Sequence, residues 1–300
     1  MYNVAVLMST YNGEKYIEEQ IESLFAQKFC DVTLYLRDDG STDNTHQIIN
    51  NISSKYKIVS FWGNNIGWRR SFMELISLVP NTFEYYAFSD QDDVWLPDKI
   101  YSSILLFKDK TTPAVCCSGQ IMTDNQLRFI RNEVHSYPKN FREAMTNISC
   151  RGCSEVFNAA LLHYLQMYKP KIDFAHDRWV ARVANILGII YFDKNCHMYY
   201  RQHGDNCSGN YYNSTIRQKI IYAFENYKNR DFYYWYAIEI LKGYSKYIGT
   251  EKKEWLNILI TSKRNIHSKI NLLFSKDFVS ESLKGTILLK LVMLTGVYQS

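Results

Sequence analysis

The chain has 300 residues, 46% of them hydrophobic, so it can bury a core as one large domain with an appendage or as two modest domains. Its net charge of +5 is uneven: residues 211–300 carry 14 basic and 7 acidic side chains, against 21 and 23 in the rest. The basic tail carries no nucleic-acid-binding motif, which argues against nucleic acid as a partner. It favours an anionic membrane surface or diphosphate-linked lipid, with a merely solvated basic face as the alternative.

The chain contains seven cysteines, an odd number, and their pattern completes no metal site. Cys150 and Cys153 form a single CxxC pair without a second pair or a nearby histidine. We therefore expect seven free thiols in a reducing cytosol. The N-terminus lacks the basic and apolar regions of a signal peptide, and no apolar stretch is long enough to span a bilayer. The expected location is cytoplasmic, or peripheral on the inner face of the membrane.

In chain order, apolar runs alternate with helical periods. Strands are predicted at 4–8, 32–36, 58–62 and 85–89, and the intervening helices at 14–27, from Ser41 through Ile52, and at 68–78. Runs that are apolar on both faces are typical of buried parallel strands. The alternation predicts an α/β fold with a doubly wound, mostly parallel sheet flanked by helices.

The remainder of the chain changes character near residue 210. Residues 114–200 mix strands at 114–117 and 189–192 with helices at 154–167 and 177–187. Further helices are predicted at 215–227, 231–247, 251–259 and 287–294. We therefore place a boundary between an α/β domain of residues 1–210 and a helical, basic C-terminal region of residues 211–300.

Polar residues follow the apolar runs, and ligands of doubly wound sheets bind outside these carboxyl ends. Asp90, Asp92 and Asp93 place three carboxylates within four residues after the fourth strand. Their mutual repulsion is relieved by a divalent cation, and hard Mg²⁺ or Mn²⁺ prefers oxygen ligands. The alternative is a solvated acidic turn before the next helix.

Other candidates have ordinary structural alternatives as well. Asp38 and Asp39 either belong to an ordinary acidic turn or accept a hydrogen bond from a nucleotide. Tyr11 either packs against the protein or stacks on a base. Asp177 begins a predicted helix, either as a cap or as a general base between a histidine and a tryptophan. His203, just before a glycine, is either structural or close to a ligand.

In combination, the sequence resembles the family 2 glycosyltransferases of the GT-A fold, most closely their bacterial polysaccharide branch of rhamnosyltransferase-like enzymes. The resemblance covers about two-thirds of the chain and rests on six segments in the same order. They are MSTYNGEKYIEEQI (8–21), LYLRDDGSTDNT (34–45), NNIGWRRSF (64–72), FSDQDDVWLPDKI (88–100), AHDRWVARVA (175–184) and YRQHGDN (200–206). It implies a GT-A domain at residues 1–210 that binds a nucleotide sugar, with a helical extension.

For the nucleotide, the resemblance implies that Thr10 and Tyr11 line the base, Tyr11 by stacking. Asp39, or Asp38, would hydrogen-bond the edge of the base. Arg70 falls where the branch carries a basic residue, and would contact the diphosphate.

For the chemistry, the resemblance implies that Asp90-Gln91-Asp92 is the DXD motif. Asp90 would lie near the ribose and the metal, and Asp92 would ligate Mg²⁺ or Mn²⁺ directly. His203 would complete the metal or diphosphate site, and Asp177 would be the catalytic base of an inverting displacement.

The resulting hypothesis is transfer of a sugar from dTDP-rhamnose or a UDP-hexose to a hydroxyl of a growing, lipid-linked polysaccharide such as O-antigen or capsule. One alternative is a metal-dependent nucleotidyltransferase, although the chain lacks a glycine-rich phosphate loop with a lysine. The other is a non-catalytic nucleotide-sugar-binding protein, although every expected carboxylate is present.

Overall fold

The first half of the chain forms parallel strands with helical crossovers. The computed structural model describes residues 1–109, 111–134, 137–148, 150–203, 233–280 and 282–295. The first strands are β1 (Tyr2–Thr10), β2 (Cys30–Asp38), β3 (Ile58–Trp62) and β4 (Tyr85–Ser89). They lie parallel in the order β3-β2-β1-β4. The four strands predicted from apolar runs are therefore confirmed, two of them inside longer strands.

The connecting helices cover both faces of this sheet. They are α1 (Ile17–Phe25), α2 (Thr45–Ile52) and α3 (Trp68–Leu78). Ile21 of α1 and Ile49 of α2 share a buried cluster with Val6, whereas Leu75 of α3 shares the other cluster with Leu7. Because neighbouring residues of a strand point to opposite faces, these clusters lie on the two sides of β1. The doubly wound α/β arrangement is confirmed.

In the second half the sheet becomes mixed. Its elements are β5 (Val94–Trp95), α4 (Lys99–Leu106), β6 (Ala114–Thr123), β7 (Phe129–Glu133), α5 (Phe141–Thr146), β8 (Glu155–Asn158), α6 (Ala159–Met167), α7 (His176–Leu187) and β9 (Ile189–Arg201). The strand order continues from β4 as β8-β6-β9-β5, with β7 beside β6. Strand β8 is antiparallel to both β4 and β6, whereas β6 and β9 are parallel.

The helix predicted at 154–167 is wrong in its first part, where the chain forms β8. Asn158 marks the change from strand to helix. Its Oδ1 accepts from the backbone N–H of Leu161 in α6 and from that of Ala114 in β6, both at 3.0 Å. The side chain thus caps the helix and fastens it to the sheet.

The prediction of seven free thiols is also wrong. Cys117 of β6 and Cys150 form a disulfide with a Cα–Cα distance of 5.8 Å. The two residues are 33 positions apart, and the β6–β8 pairing brings their segments together. Among the described residues, Cys30, Cys116, Cys153 and Cys196 are free thiols.

The C-terminal helices extend the core on the α3 and α7 side. They are α8 (Tyr233–Tyr244), α9 (Thr250–Thr261), α10 (Ile266–Phe274) and α11 (Leu283–Thr295). Tyr236 stacks on Phe174 with ring centroids 3.9 Å apart, and both belong to the cluster that contains Leu7. In the described part of the chain, no helix combines the length and apolarity needed to span a membrane. The helix predicted at 215–227 and the boundary near residue 210 lie outside the described residues.

Candidate active site

The carboxyl ends of β1, β2 and β4 lie side by side at one edge of the sheet, called the rim here. Predicted site residues from three segments of the chain meet there. Thr10 at the end of β1 pairs with Asp38 at the end of β2. Gln91, which follows Asp90 after β4, accepts hydrogen bonds through Oε1 from Thr10 Oγ1 at 2.5 Å and from the backbone N–H of Tyr11 at 2.9 Å. The Asp90-Gln91-Asp92 segment is therefore fastened to β1, and the Tyr11 side chain remains half exposed.

Asp38 is buried, and its two carboxylate oxygens differ in their hydrogen bonding. Oδ1 accepts from the backbone N–H groups of Gly40 at 2.9 Å and Ser41 at 2.8 Å, and lies 3.0 Å from Nε2 of His46. Oδ2 is buried without a hydrogen-bond partner among the described residues. An unsatisfied buried acceptor costs about 1–3 kcal/mol. A ligand that donates an N–H or O–H there would recover this free energy.

Asp39, by contrast, is fully engaged by the protein. Its Oδ1 pairs with Arg37 Nη1 at 2.5 Å and accepts from the backbone N–H of Ile66 at 2.9 Å. Its Oδ2 accepts from the backbone N–H of Gly67 at 2.8 Å. Gly67 has a φ of 85°, a conformation that favours glycine, and it directly precedes α3. Asp39 therefore shapes the loop that leads into α3.

The first turn of α3 packs beside the same rim. Ser71 Oγ accepts from Ser9 Oγ at 2.6 Å and from Arg37 Nη1 at 3.2 Å. Arg70 is largely exposed, with Nε 3.8 Å from Oδ2 of Asp173 in the segment before α7. The α3 terminus thus places Arg70 between the rim and the start of α7.

Asp92 and His203 contact each other. Nε2 of His203 lies 2.7 Å from Oδ2 of Asp92, and Tyr16 packs against the imidazole with ring centroids 5.2 Å apart. Arg201 fixes this corner, because its Nε donates to the carbonyl oxygen of Asp92 at 2.9 Å and its backbone N–H to Asp93 Oδ1 at 3.2 Å. Sequence reasoning missed Arg201, although it stands two residues before His203.

Asp90 lies among other acidic groups. One oxygen of Asp90, one of Asp93 and the sulfur of Cys153 lie within 4.8 Å of one another. Burial raises the pKa of Asp90 to about 7, and the charges of Asp92 and Asp177 add to this increase. Burial also raises the pKa of the Cys153 thiol, so Cys153 stays protonated at neutral pH. A hard divalent cation therefore fits the carboxylates here, but not the thiol.

Asp177 lies in the first turn of α7, within electrostatic range of Asp90. The helix start is anchored by the neighbouring His176, which is buried and stacks on Phe72 with ring centroids 3.9 Å apart. A Cβ at Gly152 would come 2.3 Å from Nε2 of His176, so this position has no room for a side chain. Burial lowers the pKa of His176 to about 4, which leaves the imidazole neutral next to Asp177.

Two ionisable residues that sequence reasoning did not single out are buried nearby. Glu155 of β8 is fully buried, and neither carboxylate oxygen has a hydrogen-bond partner among the described residues. Burial raises its pKa, the charge of Asp177 raises it further, and Lys99 lowers it. Nζ of Lys99 in α4 lies 3.6 Å from the centroid of the Trp95 ring, and burial lowers the pKa of Lys99 to about 8. Asp177 thus lies within electrostatic range of Glu155, whose raised pKa favours the protonated carboxyl group.

The candidate site lies at the carboxyl ends of the strands, where α/β sheets bind their ligands, and comparison with known proteins identifies the family. The glycosyl transferase family 2 profile matches residues 5–162, just over half of the chain. This protein belongs to glycosyl transferase family 2. The match spans about two fifths of the length of the first curated relatives.

Two curated relatives and one solved structure illustrate the likeness. The dTDP-rhamnosyl transferase RfbG of Shigella flexneri is 38% identical over 122 residues, 38% of this chain and 41% of that protein. The Escherichia coli UDP-Glc:alpha-D-GlcNAc-diphosphoundecaprenol beta-1,3-glucosyltransferase WfaP is 27% identical over 73% of this chain and 84% of its own length. Residues 1–349 of S. aureus TarS, solved with UDP-GlcNAc, are 17% identical with a TM-score of 0.58, covering 99% of this chain and 81% of that one. The fold is GT-A.

Proposed function

We propose that this glycosyltransferase inverts the anomeric centre as it moves a sugar from a nucleoside-diphosphate donor, dTDP-rhamnose or a UDP-hexose, to a hydroxyl of a growing, lipid-linked saccharide. The observation that carries the proposal is the electrostatic coupling of Asp90 with Asp92 and with Asp177. This proximity supports a single site that combines the donor-side carboxylates with a carboxylate on α7. An inverting displacement needs this arrangement, with one base across from the leaving diphosphate.

On the donor side, the unpartnered Oδ2 of Asp38 suits the N–H of a uracil or thymine ring. The half-exposed ring of Tyr11 suits stacking on that base, and Thr10 lies beside both. Arg70 is exposed at the first turn of α3, and we assign it to the diphosphate. Asp39 supports these contacts indirectly, by holding the loop before α3.

We propose that the site works with Mg²⁺ or Mn²⁺ held by Asp90, Asp92 and His203. When bound, such a cation neutralises the charge that develops on the leaving nucleoside diphosphate. The fit rests on the oxygens of Asp90 and Asp93, which lie within 4.8 Å of each other; burial raises the pKa of Asp90, the nearby charge of Asp92 raises it further, and a cation would relieve this repulsion. The Asp92–His203 contact, with Arg201 behind it, preorganises two of these ligands.

On the acceptor side, we assign Asp177 the role of general base. It takes the proton of the acceptor hydroxyl as that oxygen attacks the anomeric carbon opposite the diphosphate. The neutral, buried His176 and the glycine at position 152 hold the start of α7 and so orient this carboxylate. We place the reaction in the cytoplasm, at the inner face of the membrane that holds the lipid-linked acceptor; the WfaP name specifies a diphosphoundecaprenol-linked acceptor for that relative.

The test is a donor screen with the purified protein. dTDP-rhamnose, UDP-glucose, UDP-galactose and UDP-N-acetylglucosamine are each incubated with Mg²⁺, Mn²⁺ or EDTA, with and without a lipid-diphosphate saccharide. We expect acceptor-dependent release of a nucleoside diphosphate, loss of release in EDTA, and a new linkage of inverted configuration by NMR. A retained configuration, nucleotidyl transfer, or donor binding without turnover would contradict the proposal.

A further inference from the structure

Helix α10 exposes apolar side chains along one side. Ile266, Ile270 and Phe274 recur every four residues and are 61%, 45% and 83% exposed. Positions four apart lie above one another on a helix, so these side chains form a stripe. The buried Leu272 anchors the opposite side of α10 in the core.

Helix α11 continues this pattern and is apolar on both sides. Its inner side contributes Leu289, Val292 and Met293 to the core. About half or more of the surface of each of four outer side chains is exposed: Leu283, Ile287, Leu291 and Leu294. At about 100° per residue, these four lie within an arc of about 80°. The outer side of a helix in a globular protein is normally polar, so an apolar outer side indicates a binding surface.

The charge around these stripes specifies the kind of partner. Residues 263–295 contain six lysines and arginines against Asp277 and Glu281, a net charge of +4. Lys284 and Lys290 flank the outer stripe of α11. Apolar side chains bordered by basic ones suit a layer of anionic lipid head groups above acyl chains. A symmetric dimer through this surface would instead bring two positively charged faces together.

We infer that the outer sides of α10 and α11, defined here as the apolar face by Ile266, Ile270, Phe274, Leu283, Ile287, Leu291 and Leu294, insert into the interfacial layer of an anionic phospholipid bilayer. Neither helix is long enough to cross it. Insertion to a depth of about 5–10 Å is typical of such surface helices. Of the proposed function, the inference uses only the lipid-linked acceptor, to which the apolar face brings the site.

Cosedimentation of the full-length protein with phosphatidylcholine vesicles, with and without phosphatidylglycerol, tests the inference. We expect binding that requires phosphatidylglycerol and weakens with salt. The double variant Ile287→Ser/Leu291→Ser should lose about tenfold or more in partition coefficient. The control Leu105→Ser/Ile130→Ser removes exposed apolar side chains from α4 and β7, and should bind like the wild type. Ile270→Ser/Phe274→Ser provides a second test on α10, should the first variant fold poorly.

Equal vesicle binding by the wild type and both apolar-face variants would overturn the inference. So would a wild-type dimer in light scattering that the variants dissociate, without vesicle binding. Nucleoside-diphosphate release with a water-soluble acceptor should be the same in wild type and variants. If no donor is turned over and vesicle binding still depends on the apolar face, the proposed function fails and the membrane surface stands.

Discussion

Nε2 of His203 lies 2.7 Å from Oδ2 of Asp92, although 111 residues separate the two in the sequence. Asp92 follows β4 and His203 follows β9, so the contact joins the two halves of the sheet at the rim. Arg201 strengthens the junction by donating from its side chain to the Asp92 carbonyl and to Glu19. The sequence motifs that surround the two residues thus meet in one site.

Replacement of His203 by alanine should weaken the binding of the metal ion. The substitution removes a proposed ligand, or the partner that orients Asp92, so the Mn²⁺ concentration for half-maximal activity should rise about tenfold to a hundredfold. Metal titration of nucleoside-diphosphate release measures this change. His163→Ala, which alters an exposed histidine of α6, serves as the control. An unchanged metal requirement in His203→Ala would remove this residue from the metal site.

Replacement of Asp177 by asparagine should abolish most of the turnover and spare donor binding. Without a general base, kcat should fall about 10²- to 10⁴-fold, because the amide cannot accept the acceptor proton. Donor affinity, measured by calorimetry with Mn²⁺, should change little, since the proposal places the donor across the site from Asp177. Asp31→Asn, at an exposed Asp31–Lys57 ion pair, is the matched control. Wild-type turnover in Asp177→Asn would show that another group takes the proton.

The first half of the fold was predictable because its strands are apolar on both faces. Such runs indicate parallel strands, and 58–62 and 85–89 match the observed strands. The error at 154–167 has a local cause: the short strand β8 consists of Glu155, Val156, Phe157 and Asn158, and its sequence does not alternate as a half-buried strand does. The pairing of β8 with β4 and β6 joins segments that are distant in the sequence, and so does the Cys117–Cys150 disulfide. Local sequence patterns therefore could not predict either of them.

The site was predictable to the level of the rim, but not of individual oxygens. Polar segments after parallel strands meet at one edge, which places Thr10, Asp38 and Asp90 together. The sequence left Asp38 and Asp39 as alternatives. Their side chains point in different directions, and only the backbone conformation decides which of them has an oxygen left for a ligand. Glu155 could not be found, since a charged residue in the first turn of a predicted helix indicates an exposed position, whereas the observed residue is buried in β8.

The contrast between these adjacent aspartates predicts different effects for Asp38→Asn and Asp39→Asn. Asparagine at 38 keeps an oxygen for the contacts of Oδ1 but replaces Oδ2 by a donor, so affinity for UDP or dTDP should fall about tenfold with little change in Tm. Asparagine at 39 breaks the buried pair with Arg37, which costs about 3 kcal/mol or more and should lower Tm by about 6 °C or more. Calorimetry and thermal melts distinguish the two, and the reverse pattern would assign the nucleotide to Asp39.

Replacement of Glu155 by glutamine should stabilise the protein in a pH-dependent way. Burial raises the pKa of Glu155 in the folded protein above its ordinary value of 4.5, so the folded state holds a proton that the unfolded chain releases. The free energy of unfolding of the wild type therefore falls as the pH rises from 4.5 to the raised pKa of Glu155. The slope is at most about 1.4 kcal/mol per pH unit. Glutamine has no such titration, so Glu155→Gln should melt near the wild type at pH 4.5 and above it at pH 7.

The exposed Glu18→Gln should show no such trend. A Glu155→Gln protein that is less stable than the wild type at pH 7 would mean that the charged carboxylate is stabilised in the fold, with Lys99 as its partner.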